Sequence, residues 1–373
     1  MAAESSPSKS ASVNASRQRY KTSMGLCLVV LMTGPLGGCA TLGYYAHLAA
    51  GEAAVLRARV PITQVMAEPN LDPALRGRLQ LALRARAFAS DRLDLPRNKS
   101  YTTYADIHRP FVMWNVFATP ALSVQAIEHC FPFAGCVAYQ GFYNKARAEK
   151  LAAKLAQQGD DVWIGGVPAY STLGHFADPL LSSMDRWSTD ELLGTIFHEL
   201  AHQKIYVKGD TAFNESYATF VQREGLREFL AANHLPPPDP ATAKRQTQFT
   251  DLVLATRRQL QALYASQLPN AEKLQRKQAI FAELRRHYAQ LRDTEWRGYT
   301  GYDHWFATPL NNAKLLPFGL YDRGEPAFAA LFKECGRDWP AFFAAVRKLG
   351  HEPAAKRDAF LARAATPRDA DAP

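Results

Sequence analysis

Thr195-Ile196-Phe197-His198-Glu199-Leu200-Ala201-His202 sets two histidines four residues apart, with a glutamate directly after the first. In a helix that spacing is just over one turn, so His198 and His202 project from one face and can chelate one ion together. Neutral imidazole suits zinc, and Glu199 then lies beside the ion's open position, where a carboxylate can take a proton from water. Apolar Ile196, Phe197, Leu200 and Ala201 fill the rest of the stretch, as in a helix that crosses a core and shows a metal on one side. The helix opens at about Ser188-Thr189-Asp190-Glu191 and runs out through the stop signal Lys208-Gly209-Asp210. A second helix begins near Thr211 and carries Asn214-Glu215-Ser216-Tyr217-Ala218, whose carboxylate is placed to return to the metal. Two histidines and a glutamate, with water in fourth place, form a standard catalytic zinc arrangement, with one ion per chain. Asp210 in the turn and Glu224 farther along compete for the third-ligand role. Glu224 projects from roughly the opposite helical face to Glu215 and reads better as a surface charge.

This pair of helices resembles the gluzincin metallopeptidases, where an HExxH helix is followed by one bearing Asn-Glu-x-x-Ala. The resemblance implies His198 and His202 as ligands, Glu199 as general base and Glu215 as third ligand. The spacer between His202 and Glu215 is shorter than in thermolysin-like or aminopeptidase-N-like members, so a compact connection must replace their insert. Further blocks are Trp114-Asn115-Val116-Phe117-Ala118, Cys130-Phe131-Pro132-Phe133-Ala134-Gly135-Cys136, Ala169-Tyr170-Ser171-Thr172-Leu173-Gly174 and Pro309-Leu310-Asn311-Asn312-Ala313. They resemble a bacterial lipoprotein family known as the predicted aminopeptidases, over a match from about Gly38 to beyond Arg347. It implies a metallopeptidase acting on peptides. The Gly-x-Met-Glu-Asn segment that holds a substrate's amino end in aminopeptidase-N relatives does not occur.

The N-terminus indicates the compartment. Arg17, Arg19 and Lys21 precede an apolar stretch from Met24 to Leu36, which ends in Leu36-Gly37-Gly38-Cys39. A basic region, a short apolar region and small residues before a cut describe a secretory signal. The apolar run is shorter than the ~20 residues a membrane span needs. The ending resembles a lipobox, so Cys39 is expected to become the lipidated first residue and the membrane anchor. Ala40 after it points, by resemblance to sorted lipoproteins, to the outer membrane facing the periplasm. In that oxidising setting Cys130 and Cys136 are expected to join in a small loop, and Cys335 to stay buried and inert. The net charge is +9, from 44 basic against 35 acidic residues. The basic residues are scattered through amphipathic helices without a nucleic-acid motif, so solvated faces explain the surplus and no nucleic-acid partner is expected.

The fold class expected is α+β: a zincin-like core, meaning a small mixed sheet, the HExxH helix and the third-ligand helix, with large helical additions. Residues 1–38 read as leader and signal, and 39–98 as a helical segment with starts at Leu42 and Asp72-Pro73. Residues 99–235 form the catalytic domain, with strand-like content around Tyr101, Tyr104 and Val112–Phe117, a helix from about Asn144, and a strand over Asp161–Val167. Pro236-Pro237-Pro238-Asp239-Pro240 marks a boundary. Residues 236–293 then read as a helical hairpin broken at Pro269-Asn270, and 294–373 as an aromatic segment and a last helical pair that complete the active-site region, with a polar tail from Pro353 frayed at its end.

A zincin binds extended peptide on an edge strand, and Ala169–Gly174 is the candidate, with Tyr170, Ser171 and Thr172 as substrate contacts. Tyr302 and His304 are candidate donors to the oxyanion, with a core aromatic as the competing role for Tyr302. Asn311 and Asn312 either orient substrate or cap loops. Gln203 reads as structural. Two other functions remain open: an envelope scaffold lipoprotein, metal-free or with a structural zinc, and a zinc amidase acting on cell-wall peptide.

Overall fold

Residues 36–131, 135–318 and 324–363 are described by a computed structural model of the protein. The chain divides into one unit spanning Met1–Ala46 and another spanning His47–Pro373. The expected leader and the side chain of Cys39 lie outside the described residues. Helix α1 (Leu36–Arg57) is followed by strand β1 (Arg59–Pro61), α2 (Ile62–Met66), α3 (Pro73–Asp91), β2 (Thr103–Ala105) and β3 (Met113–Thr119). Next come β4 (His129–Phe131), β5 (Gly135–Val137), β6 (Tyr139–Phe142), α4 (Lys145–Gln157), β7 (Asp161–Val167) and β8 (Leu180–Leu181). The rest is helical: α5 (Thr189–Lys204), α6 (Thr211–Ala232), α7 (Pro240–Ala265), α8 (Asn270–Asp293), α9 (Asp303–Ala307), α10 (Glu325–Glu334), α11 (Trp339–Gly350) and α12 (Ala354–Ala362). No described helix is long and apolar enough to cross a membrane.

The chain is mixed α and β, with most residues helical and the strands in small sheets. Strand β3 lies between β6 and β7, antiparallel to both, and β2 lies between antiparallel β1 and parallel β8. In the β4–β5 ribbon Cys130 stands directly opposite Cys136, and their sulfurs are bonded.

Local chemistry explains the helix starts. Asp72, Asn144, Ser188, Asp210, Asp239 and Asp338 each accept a hydrogen bond from a backbone N–H of the helix that follows, satisfying an orphan donor. The turn into α6 passes through Gly209 at φ +79°, a conformation that favours glycine. Asn214 locks that turn, accepting from Val207 N and donating to Val207 O at 2.8 Å each. The core forms where α3, α5, α6, α10 and α11 meet, around fully buried Leu79, Phe197, Phe213, Phe328 and Phe342. A separate aromatic cluster fills the α7–α8 hairpin, with Phe249, Tyr288, Trp296 and Phe306 buried.

Two expectations fail. Ala169–Gly174 is a loop, because Leu173 (φ +54°) and Gly174 (φ +83°) are successive left-handed residues, which no strand accommodates. Tyr101 also has positive φ (+62°), so strand β2 starts only at Thr103. The tail after Pro353 begins as α12, held by the packing of Phe360 on Phe328 (5.1 Å between rings) and by Arg357 on Asp210 (2.6 Å), and its expected frayed end lies outside the described residues.

Candidate active site

The site forms where α5 and α6 pack side by side. Their approach depends on Gly194: a Cβ there would meet Gln222 at 3.1 Å, and Gln222 is the residue that reaches His198 one turn along. His198 Nδ1 lies 3.0 Å from Gln222 Oε1. The amide oxygen can only accept, so the contact fixes the proton on Nδ1 and leaves Nε2 with its lone pair. That Nε2 stands 3.1 Å from His202 Nε2 and 3.2 Å from Glu215 Oε2, while His202 Nε2 is 3.6 Å from Glu215 Oε1. One ligand atom from each residue falls within 4.8 Å of the others, a grouping able to hold a metal ion. Three donors share one point.

The rival carboxylates are occupied elsewhere. Asp210 caps α6 through Phe213 N (3.0 Å) and pairs with Arg357. Glu224 pairs with Arg227 at 2.7 Å and faces Arg337. A second grouping, Glu128 with Cys130 and Cys136, is exposed, and its thiols are consumed by the disulfide.

Electrostatics separate the two glutamates. Burial raises the Glu199 carboxyl above the ordinary glutamate value, opposed by His198, His202 and the Ser171 hydroxyl. Burial also acts to raise Glu215, but hydrogen bonds and charge from His198 and His202 outweigh it and hold the carboxyl down to about 2. His202 is buried, and its Nδ1 has no hydrogen-bond partner among the described residues.

A family model described as "Putative aminopeptidase" matches residues 43–361. The chain belongs to that family. Membership indicates peptidase activity, and hence a peptide substrate. No curated protein and no solved structure matches the chain.

In this aminopeptidase-family chain His198 and Glu215 border a cavity of about 610 Å³. Its walls include Thr219 and Arg223 of α6, Asp251 and Leu254 of α7, and Phe318. The hairpin thus forms one wall of the site, which no sequence motif signalled.

The other expected site residues are placed differently. Ser171 Oγ donates to Asp178 at 3.2 Å and lies beside Glu199. Thr172 gives both its backbone N–H (3.0 Å) and its hydroxyl (2.7 Å) to Asp178. The Tyr170 hydroxyl donates to Glu52, which also receives Tyr143 at 2.8 Å. The segment is a loop tied to Asp178 beside the base and offers no strand edge for a peptide. Tyr302 stacks on Phe249 at 4.1 Å inside the hairpin's aromatic cluster, and His304 is exposed on α9; neither borders the cavity. Asn311 donates to Val162 O (2.8 Å), and Asn312 accepts from Tyr264 (2.8 Å) and gives its backbone N–H to Asp161 (2.8 Å). Both asparagines dock loops. Gln203 accepts from Asn98 at 2.7 Å, the structural part expected of it.

Two tyrosines near the metal-binding grouping escaped the sequence reading. Tyr206 lies just past the end of α5, with its ring edge-on to His202 at 6.2 Å. Burial first, and then neighbouring Tyr206 and Glu215, raise the Tyr139 hydroxyl. No helical spacing signals Tyr206, because α5 ends at Lys204 and the chain is extended at Ile205.

Proposed function

We propose that the chain is a zinc-dependent metallopeptidase, anchored through lipidated Cys39 at the outer membrane and facing the periplasm. One observation carries the zinc reading: the donor separations of 3.1, 3.2 and 3.6 Å among His198, His202 and Glu215. Zinc–ligand bonds of ~2.0–2.1 Å in a tetrahedral arrangement require ligand atoms about 3.3 Å apart. Gln222 adds support, because it presents a lone pair at His198 Nε2, as a ligand needs. When bound, the ion polarises a carbonyl and makes water nucleophilic near neutral pH.

The chain's own groups supply the rest. Glu199, raised by burial, accepts a proton from the attacking water and delivers it to the leaving amine. Ser171, whose one hydroxyl proton goes to Asp178, lies beside that carboxylate. Tyr206, whose ring stands edge-on to His202, or its neighbour Tyr139 donates to the oxyanion. The anchor rests on the Leu36-Gly37-Gly38-Cys39 sequence, and labelling with palmitate that survives Cys39→Ser would refute it.

The deciding experiment pairs metal analysis with peptide hydrolysis. Purified protein should carry about one zinc per chain. Glu199→Gln should keep it and lose about 10²–10⁴-fold in hydrolysis. Full activity in Glu199→Gln, or no zinc in the wild type, overturns the reading; a zinc-bearing protein that cleaves no peptide would be a scaffold.

A further inference from the structure

Tyr101 is unusual on two counts. Its φ of +62° puts an aromatic residue in the left-handed region, and such strain persists only where the surroundings enforce it. Here they do. The buried Arg86 guanidinium donates to three carbonyls on the approach: Pro96 O at 2.7 Å, Asn98 O at 2.9 Å and Ser100 O at 2.9 Å. Tyr101 N then donates to Asp178 O at 2.6 Å. The ring is buried, yet its hydroxyl closes no hydrogen bond among the described residues. Leaving a buried donor unpaired is costly, so the position calls for an acceptor. The hydroxyl lies beside Ser171, Glu199 and Asp178. Asp178 already receives the Thr172 N–H at 3.0 Å, the Thr172 hydroxyl at 2.7 Å and the Ser171 hydroxyl at 3.2 Å. Of these hydroxyls only Tyr101 still has its proton to give, and Glu199 is the carboxylate beside it that those donors do not serve.

We infer that Tyr101 is a positioning residue: its phenol donates to one oxygen of Glu199 and leaves the other turned towards the point where His198, His202 and Glu215 converge. This rests on the metallopeptidase reading above and adds how the base is aimed. A hydrogen bond to a carboxylate is charge-assisted and stronger than a neutral one, so it can hold a side chain with three rotatable bonds in one orientation. The held backbone matters as much as the hydroxyl. With its main chain fixed by Arg86 and Asp178, Tyr101 gives the base a rigid support, and small misplacements of a reacting group are expensive in rate. Burial first, and then the Glu199 and Asp178 carboxylates, raise the phenol far above its ordinary value, so it keeps the proton it donates.

The test compares Tyr101→Phe, which deletes the hydroxyl and keeps the ring, with wild type on one fluorogenic peptide that wild type cleaves. The kcat should fall about ten- to a hundredfold, the range for a hydrogen bond to a charged group, with KM and zinc content unchanged. In a Glu199→Gln background the same change should cost about twofold or less, because Tyr101 acts through the base. A second readout needs neither metal nor turnover. In metal-free protein Tyr101→Phe should lower the denaturant midpoint, whereas deleting a hydroxyl without a partner would leave it unchanged or raise it. Wild-type kcat in Tyr101→Phe, an equal loss in both backgrounds, or a midpoint that does not fall would each overturn the assignment. A larger loss in Ser171→Ala than in Tyr101→Phe would move the donor to Ser171 and overturn it too. If wild type cleaves and Tyr101→Phe matches it, this inference alone fails; a wild type that cleaves no peptide defeats the metallopeptidase reading with it.

Discussion

The helix pair α5–α6 and, through α7, the hairpin α7–α8 line one cavity, yet their interiors are filled in different ways. The α5–α6 pair buries polarity on purpose: His202, Asn214, Ser216 and Thr219 all lie inside. Asn214 is satisfied by both ends of Val207, and His198 is held by Gln222. Such groups are costly to bury unless bonded, so Asn214 and His198 are fixed by their partners. The hairpin instead fills its interior with rings, Phe249 stacked on Tyr302 at 4.1 Å and Tyr288 on Phe306 at 4.0 Å. Ring packing tolerates exchange among apolar residues of similar volume. The first region specifies chemistry, and the second specifies the position of a wall.

The largest expected effects ask whether the two cores are separate. Phe197→Ala removes a fully buried ring between α5 and α6 and should cost about 3–5 kcal/mol, seen in denaturant unfolding with metal binding lost alongside. Phe249→Ala, at the centre of the hairpin's rings, should speed amide exchange in α7 and α8 while zinc stays bound. If exchange rises equally in α5 and α6, the two regions unfold as one and the distinction fails.

Lys277 is the joint between hairpin and sheet: its ammonium is buried, 2.6 Å from Asp161 of β7 and 2.9 Å from Ala121 O. Lys277→Met leaves the carboxylate short of its cation and should cost about 3 kcal/mol in chemical denaturation. A double variant with Asp161→Asn should recover part of that loss; full additivity would mean the pair is not coupled.

A smaller effect belongs to the helix pair. Gln222→Leu keeps the packing volume and removes the acceptor for His198, so zinc affinity should fall about 10–100-fold in competition with a chelating dye. Unchanged affinity would show that His198 is oriented without it. The smallest is Asp239→Ala, which removes the cap on Ala241 N (2.9 Å) at the start of α7 and should cost about 1 kcal/mol in thermal unfolding. A drop of several kcal/mol would mean that the hairpin depends on its entry turn more than on its rings.

Helices were legible in the sequence wherever a local signal existed. Ser188, Asp72 and Asn144 announce their helices because a cap acts on backbone N–H groups two or three residues away. His198, Glu199 and His202 share a face through helical period alone, and the Pro269-Asn270 break gives the hairpin. The loop at Ala169–Gly174 was misread because its polar groups are claimed by Asp178, whose position follows from the fold. Asn311 and Asn312 likewise meet Val162 and Asp161, far away in sequence.

By itself, then, the sequence determined the helices and the shared face of His198 and His202, since caps and period act within a few residues along one chain. Tertiary structure decided which carboxylate meets the histidines, that Gln222 orients His198, and that Asp251 borders the same cavity. Those outcomes depend on the approach of α5 to α6 at Gly194 and on where the hairpin docks. Such distances arise only when separate apolar faces are buried together, and no local spacing encodes them.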